Sequence, residues 1–441
     1  MQRVAPDTRP DRPVEEAPLR VLLISVFHPE LVRGGAQQIC YELFEELKQT
    51  EGILPFLLAS VDSTYPTLFK AGACITGFDG HDDEYLFLMQ DYDYWWHKTS
   101  SPRMIEAFVE FLNTVRPDVV HFHHFFTFGV DLLTLTRNEL PDARIVFTFH
   151  EFMGICAADG QMVRKTDQSL CTRASGVRCH QCFPERSPEQ FLMRRMWMLR
   201  HLAAVDVFSC PSHFMLKFYE DWGLPAEKLH HITNGQRRYG QIQAPPPGNK
   251  NRFGFFGQLL DCKGTHILLR AVRLLRAQGF LDFRVELNGD NIKWASSEVR
   301  EEIEGFLAEE RELPHQEQIV FFNGGYHIDD LASRMAQVDW CIVPSTWWEI
   351  FGLVISEAWM FGKPVICSNR GGPGERVRHD VDGLHFQLGD PRSLADAIRR
   401  AATEEGLWER LHACLPQPPS RPEMVREFIR LYKKRDDSRR L

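Results

Sequence analysis

Two rhythms of apolar and polar residues alternate along this chain. Short unbroken apolar runs occur at residues 19–25, 117–124, 143–149, 205–212, 252–257, 283–287, 319–322 and 341–345. Runs of that length and composition read as strands buried on both faces of a parallel sheet. Between them lie stretches with apolar residues three or four positions apart, the helical period. Residues 36–48 put Ile39, Leu43, Phe44 and Leu47 on one face, and 104–115, 188–204, 265–278, 329–338 and 421–434 behave likewise. Strand alternating with helix predicts α/β architecture with doubly wound sheets. The polar, Pro/Gly-rich stretch 236–251, with Pro245, Pro246 and Pro247, reads as a linker. It divides the chain into a first unit, 19–235, and a second, 252–415, with a C-terminal segment 416–441. Residues 1–18 are charged and Pro-rich without an apolar core, the composition of a disordered tail.

Composition narrows the function. The 441 residues suit two or three domains, each able to bury a core. A net charge of −9 gives no reason to expect a nucleic-acid partner. No apolar run is long enough to span a bilayer, and the N-terminal stretch has no signal-peptide core. A cytoplasmic protein with reduced thiols is expected.

The stretch around which the chain is organised is 347–357. The apolar run 341–345 precedes it, and amphipathic residues follow to Gly362. This predicts a strand, a tight loop and a helix start. Glu349 lies in the loop and Glu357 two turns on, which puts their carboxylates roughly 12 Å apart. That is about the span of a sugar–diphosphate–ribose unit. Ile350, Phe351, Gly352, Leu353 and Val354 then occupy a helix N-terminus, whose unpaired N–H groups and dipole favour phosphate. A second such end follows Gly34-Gly35, after the first strand. Strands 117–124 and 143–149 end in His121, His123, His124 and then His150, at carboxyl ends where ligands of open α/β sheets bind. The aromatic residues between 79 and 98 can stack on sugars or fill a core. Cys179 and Cys182 form Cys-x-x-Cys, with Cys156 and Cys171 upstream in one polar loop. That spacing favours a structural zinc site with four thiolate ligands. Reduced free thiols and an iron–sulfur cluster are the alternatives. Helix 188–204 interleaves Arg194, Arg195 and Arg200 with apolar residues, which suits an anionic membrane surface or a solvated face.

Glu349 to Glu357, Gly362-Lys363-Pro364, Gly371-Gly372 and Lys263-Gly264 together resemble the retaining glycosyltransferases of the two-domain GT-B, family 4 type, in the branch that assembles bacterial polysaccharides. The resemblance covers nearly the whole chain from Leu19 and includes the cysteine-bearing insert 156–182. It implies two Rossmann-like domains with a donor cleft between them. It also implies a C-terminal helix that returns to the first domain. The activity it implies is transfer of a sugar from a nucleotide-diphosphate sugar to the hydroxyl of a glycan or lipid-linked acceptor, with no cofactor for catalysis. By the same resemblance His150 and Glu349 are catalytic. Gly34, Gly35, Gln258, Lys263, Tyr326, Ile350, Phe351, Gly352, Leu353 and Glu357 bind donor, and His123 and His124 lie on the acceptor side. At position 258 the family has Arg, so Gln258 removes one charge from the expected pyrophosphate site. A nucleotide-sugar epimerase of the same fold and a non-catalytic sugar-binding relative are the alternatives. Peripheral contact with the inner face of a membrane is a further expectation.

Overall fold

The computed structural model describes residues 17–62, 64–70, 72–238 and 248–433. Most of the expected tail, and positions 239–247 of the expected linker, lie outside the described residues.

Two sheets organise the molecule. Strands of the first are β1 Leu19–Ser25, β2 Ile53–Val61, β3 Ile75–Gly77, β4 Glu84–Leu88, β5 Val119–Phe122, β6 Arg144–Thr148, β7 Val207–Cys210 and β8 Leu229–His231, ordered β8-β7-β6-β5-β1-β2-β4-β3. All neighbours are parallel except β3 and β4. The second sheet has β9 Arg252–Phe256, β10 Arg284–Asn288, β11 Val320–Phe322, β12 Trp340–Val343, β13 Val365–Ser368 and β14 Gly383–Phe386, ordered β11-β10-β9-β12-β13-β14 and parallel throughout. The apolar runs are where the core sits. Val21, Leu22, Leu23 and Ile24 of β1 are fully buried, because helices cover both faces of the sheet.

In each sheet the strand order reverses beside the first strand, between β1 and β5 and between β9 and β12. Such a reversal opens a crevice at the carboxyl ends of the two strands. Here the two crevices face each other. A Cβ built on Gly35 would stand 3.5 Å from Leu353 of the second domain. The domains also share packing, since Trp348 and Ile350 lie within the first domain's core. The indole of Trp348 stacks near Phe214 and Phe218, with centroids 5.0 and 5.6 Å away. The Glu375 carboxylate accepts from the backbone N–H groups of His213, at 3.0 Å, and Phe214. The helix Arg421–Lys433 crosses back and buries Met424, Val425, Phe428, Leu431 and Tyr432 against the first domain.

Candidate functional site

The second-domain wall is built from two loops at the carboxyl ends of β9 and β12. Thr346 stitches them together. Its N–H donates to the Cys262 carbonyl at 2.9 Å, and its hydroxyl to that of Asp261 at 3.0 Å. Gly264 is in the left-handed region, with φ 73°, and a Cβ there would collide with the Pro344 carbonyl. Only glycine permits that approach, and the approach sets Lys263 beside Glu349.

The Lys263 ammonium donates to the Glu349 carboxylate at 2.7 Å. Ser345 Oγ and Trp347 Nε1 donate to the same oxygen, each at 3.1 Å. Burial alone would raise the Glu349 pKa, but the Lys263 charge and these hydrogen bonds hold it below its ordinary value. Lys263 was expected to meet the pyrophosphate and Glu349 the sugar. The structure joins them in one ion pair, so a ligand enters against an interaction already formed.

After this loop, Gly352 adopts φ 72° and the helix Leu353–Met360 begins without a side-chain cap. The helix Gly35–Lys48 also starts uncapped, behind Gly34 in extended conformation. Two helix N-termini therefore approach one another across the junction through Gly35 and Leu353, a paired arrangement suited to phosphate. Glu357, one residue further along the same helix than Ser356, is half-buried. Burial first, and then the Glu42 carboxylate of the first domain, push its pKa up to about 7.

Arg376 is a residue of this wall that the sequence reading missed. Its guanidinium donates to the carbonyls of Phe351 at 2.9 Å and Gly352 at 3.0 Å and covers the Phe351 ring at 3.6 Å. It thus fixes the loop that launches the helix Leu353–Met360. It is the last residue of the short helix Gly371–Arg376, whose Gly372 N–H donates to the Glu349 carbonyl at 2.7 Å. An arginine just after a glycine-rich turn was the available signal. Gln258, by contrast, is a half-buried residue directly after β9 and Gly257. Tyr326 packs edge-on to Phe256, with Arg334 over its ring at 5.3 Å, so one face expected to stack on a base is already covered.

The first-domain wall is a run of histidines. His123 Nδ1 and His150 Nε2 are hydrogen-bonded at 3.0 Å. His124 accepts from the Phe126 N–H through Nδ1 at 2.9 Å, which leaves its Nε2 to face Glu151 at 3.3 Å. Burial pushes His150 down to about 4 and His124 to about 3, and drives His123 well below its ordinary value, so all three rings are neutral. His123 and His124 are 1 % and 6 % exposed. Of the two, His123 is bonded to His150, whereas His124 is turned to Phe126 and Glu151. His121 belongs to the core, bonded to Tyr432 at 2.8 Å and Thr148 at 2.7 Å.

Three other segments bear on the expectations. The aromatic segment is largely structural: the carbonyls of Trp95 and Trp96 accept from Arg194 and Trp197. Arg194 itself is not on a basic face. It is 3 % exposed and donates to the carbonyls of Trp95, Gly154 and Met153, while Leu192, Met193 and Met196 face outward. The four insert cysteines are free and line one pocket. Among the described residues, the group of three or more ligand atoms within 4.8 Å of one another is His28, His81 and Glu84, not these thiols. No helix among the described residues is long and apolar enough to cross a membrane.

A family model described as Glycosyltransferase Family 4 matches residues 33–236, and one described as glycosyl transferases group 1 matches residues 241–414. YtcC of Bacillus subtilis, a glycosyltransferase by name, is 27 % identical over 69 % of this chain and 69 % of its own. The lipopolysaccharide 1,2-N-acetylglucosaminetransferase of Salmonella typhimurium is 27 % identical over 44 % of this chain and 52 % of its own. Among solved structures, Anabaena HepE in complex with UDP and glucose superposes with a TM-score of 0.64 at 18 % identity, covering 95 % of this chain and all of that one.

Proposed function

With a Glycosyltransferase Family 4 domain followed by a glycosyl transferases group 1 domain, this chain is a GT-B glycosyltransferase of glycan assembly, and from that premise we propose that it transfers a sugar, with retention, from a nucleotide diphosphate to an acceptor hydroxyl. The observation that carries this reading is the pair of uncapped helix N-termini, at Gly35 and Leu353, brought together beside the Lys263–Glu349 pair. A diphosphate between the helix ends satisfies their N–H groups and draws the Lys263 ammonium toward itself. Glu349, released from its partner, then accepts from hydroxyls of the transferred sugar. Leaving-group charge is stabilised by groups already in place, the arrangement that lowers a transition state most effectively, and no divalent ion is required. Glu357 accepts from the ribose diol, and His150, held neutral by burial and placed by His123, faces the sugar near the reacting carbon. UDP in the Anabaena structure supports a uridine nucleotide as the first donor to try. The outward Leu192, Met193 and Met196 support a lipid-linked acceptor met at a membrane surface.

A panel of nucleoside diphosphates and their sugars, read by thermal shift, tests the reading, since a ligand of the native state raises the melting temperature. The expected result is a shift with a nucleotide sugar, followed by transfer that persists in a chelator. No shift with any member of the panel would remove the proposal.

A further inference from the structure

The insert between β6 and the helix Pro188–Leu202 is packed into the first-domain core as far as Met162, through Phe149, Phe152, Met153 and Ile155, but none of residues 163–187 is fully buried. Its short helix Gly176–Cys182 buries none of its residues, although Ser175 caps it. Hydrophobic burial, the usual source of fixed position, is therefore weak from residue 163 onward. Yet the insert does positional work. The carbonyl of Cys171 accepts from Trp348 Nε1 at 2.9 Å, one residue before Glu349. A segment that braces the donor loop needs an anchor of another kind.

The four cysteines supply one. Cys156 leaves the loop after β6, Cys171 follows the bridge between Val163 and Leu170, and Cys179 and Cys182 sit on the short helix. All four are free and half-buried, and together they line a pocket whose other walls include Met162, Val163, Phe183 and Phe191. The thiols surround this space rather than meet at a point, since no three of them lie within 4.8 Å of one another. One tetrahedral zinc with bonds of about 2.3 Å would bring its sulfurs to roughly 3.8 Å. The outer sulfurs of a four-iron cluster stand on the order of 6 Å apart around the core. The lining also suits an anionic centre. Arg164 and Arg178 reach the pocket. Nearby, the buried Arg194 donates to neutral carbonyls at Met153 and Gly154, and it forms no ion pair among the described residues.

We propose that Cys156, Cys171, Cys179 and Cys182 ligate an iron–sulfur cluster in this pocket, and that the cluster anchors the insert against Trp348. Each thiol loses its proton to the solvent as its sulfur bonds to iron. The site is separate from the donor crevice, and its assay does not depend on transferase activity.

The full chain, purified without oxygen and reconstituted with equal amounts of ferrous and ferric iron and with sulfide, should carry about four irons and four sulfides, with broad absorption near about 400 nm. Cys179→Ser should lose most of that iron, whereas Cys414→Ser, at an exposed cysteine outside the pocket, should keep it. Bleaching the cluster of the parent protein in air should lower its melting temperature, which covers the case of a variant that does not fold. One zinc per chain with no iron would overturn the proposal in favour of a single ion. Protein that takes up no metal, or a Cys179→Ser variant that retains full iron, would overturn it as well.

Discussion

The two walls of the interdomain cleft handle charge in opposite ways. The first-domain wall is made of rings that stay neutral. His123, His124 and His150 are packed so closely that burial drives every one of them below its ordinary pKa. They offer shape and hydrogen bonds but no counter-charge. The second-domain wall keeps its charges, Lys263 paired with Glu349, and places beside them Glu357, which titrates near neutrality. The difference teaches that, apart from the Glu42 carboxylate that faces Glu357, the charge at this junction comes from the second domain. The first domain supplies a backbone helix end and rigid neutral groups.

The strongest way to break this contrast is Lys263→Ala. It removes the one side-chain cation proposed for the diphosphate and leaves Glu349 buried without its partner. Each charge-assisted hydrogen bond lost from the diphosphate is worth about 1.5–3 kcal/mol, so kcat/KM for donor should fall about a hundredfold or more. Gln258→Ala should fall far less, because charge-assisted bonds are about twice as strong as neutral ones. Equal losses in steady-state kinetics would erase the distinction.

Next in size are the two glutamates. Glu349→Gln should lower kcat by tens of fold, because its hydroxyl contacts tighten in the transition state. Glu357→Gln should mainly raise the donor KM, because ribose does not react. Calorimetry with the nucleoside diphosphate sharpens the point: binding should weaken more in the Glu357 variant. The reverse pattern would mean that the donor lies the other way round.

A smaller effect is visible in pH. In the proposed donor pose the ribose hydroxyls need an ionised Glu357, so donor KM should improve several-fold as pH rises through about 7, and Glu357→Gln should flatten that profile. Stability runs the other way. The folded-state pKa is raised from 4.5, so the native state holds the proton more tightly than the unfolded chain. That contribution is fully present below pH 4.5 and is lost as pH rises through about 7. Glu357→Gln should therefore melt higher than the parent at pH 8 and alike at pH 4. No histidine substitution in the first-domain wall should move either midpoint.

The smallest expected change is Trp348→Phe, which keeps the packing against Phe214 and Phe218 and deletes the bond to the Cys171 carbonyl. A single neutral hydrogen bond contributes about 1 kcal/mol, so donor KM should rise about fivefold while kcat holds.

Strands β1, β5, β6, β7 and β9 to β12 were legible because parallel strands buried on both faces leave continuous apolar runs, whereas β2, β8, β13 and β14 were not read; the helix after Gly352 was legible from its loop and glycine. Long-range partners were not. The Lys263–Glu349 pair exists because β9 and β12 are neighbours, whereas 86 positions separate the two residues in the chain. Arg194 reads as one more charge on a polar helix face, and nothing local shows that three carbonyls await it inside. The chain order of His121 and Tyr432, 311 positions apart, likewise conceals their bond. The short antiparallel pair β3 and β4 was hidden inside an aromatic stretch whose residues fit a core and a sugar platform equally well.

The bond from His121 to Tyr432 also bears on how the molecule is made. A ribosome delivers β1 through β8 long before it delivers Arg421–Lys433, yet that last helix fills the face formed by Ile39, Leu43 and Phe44. Domains generally fold as units while they emerge. The first domain cannot complete itself in that way, and the second domain is synthesised while its predecessor still exposes an apolar groove. The nascent chain is thus open to chaperone capture until its final turns appear, and the first domain closes after the second.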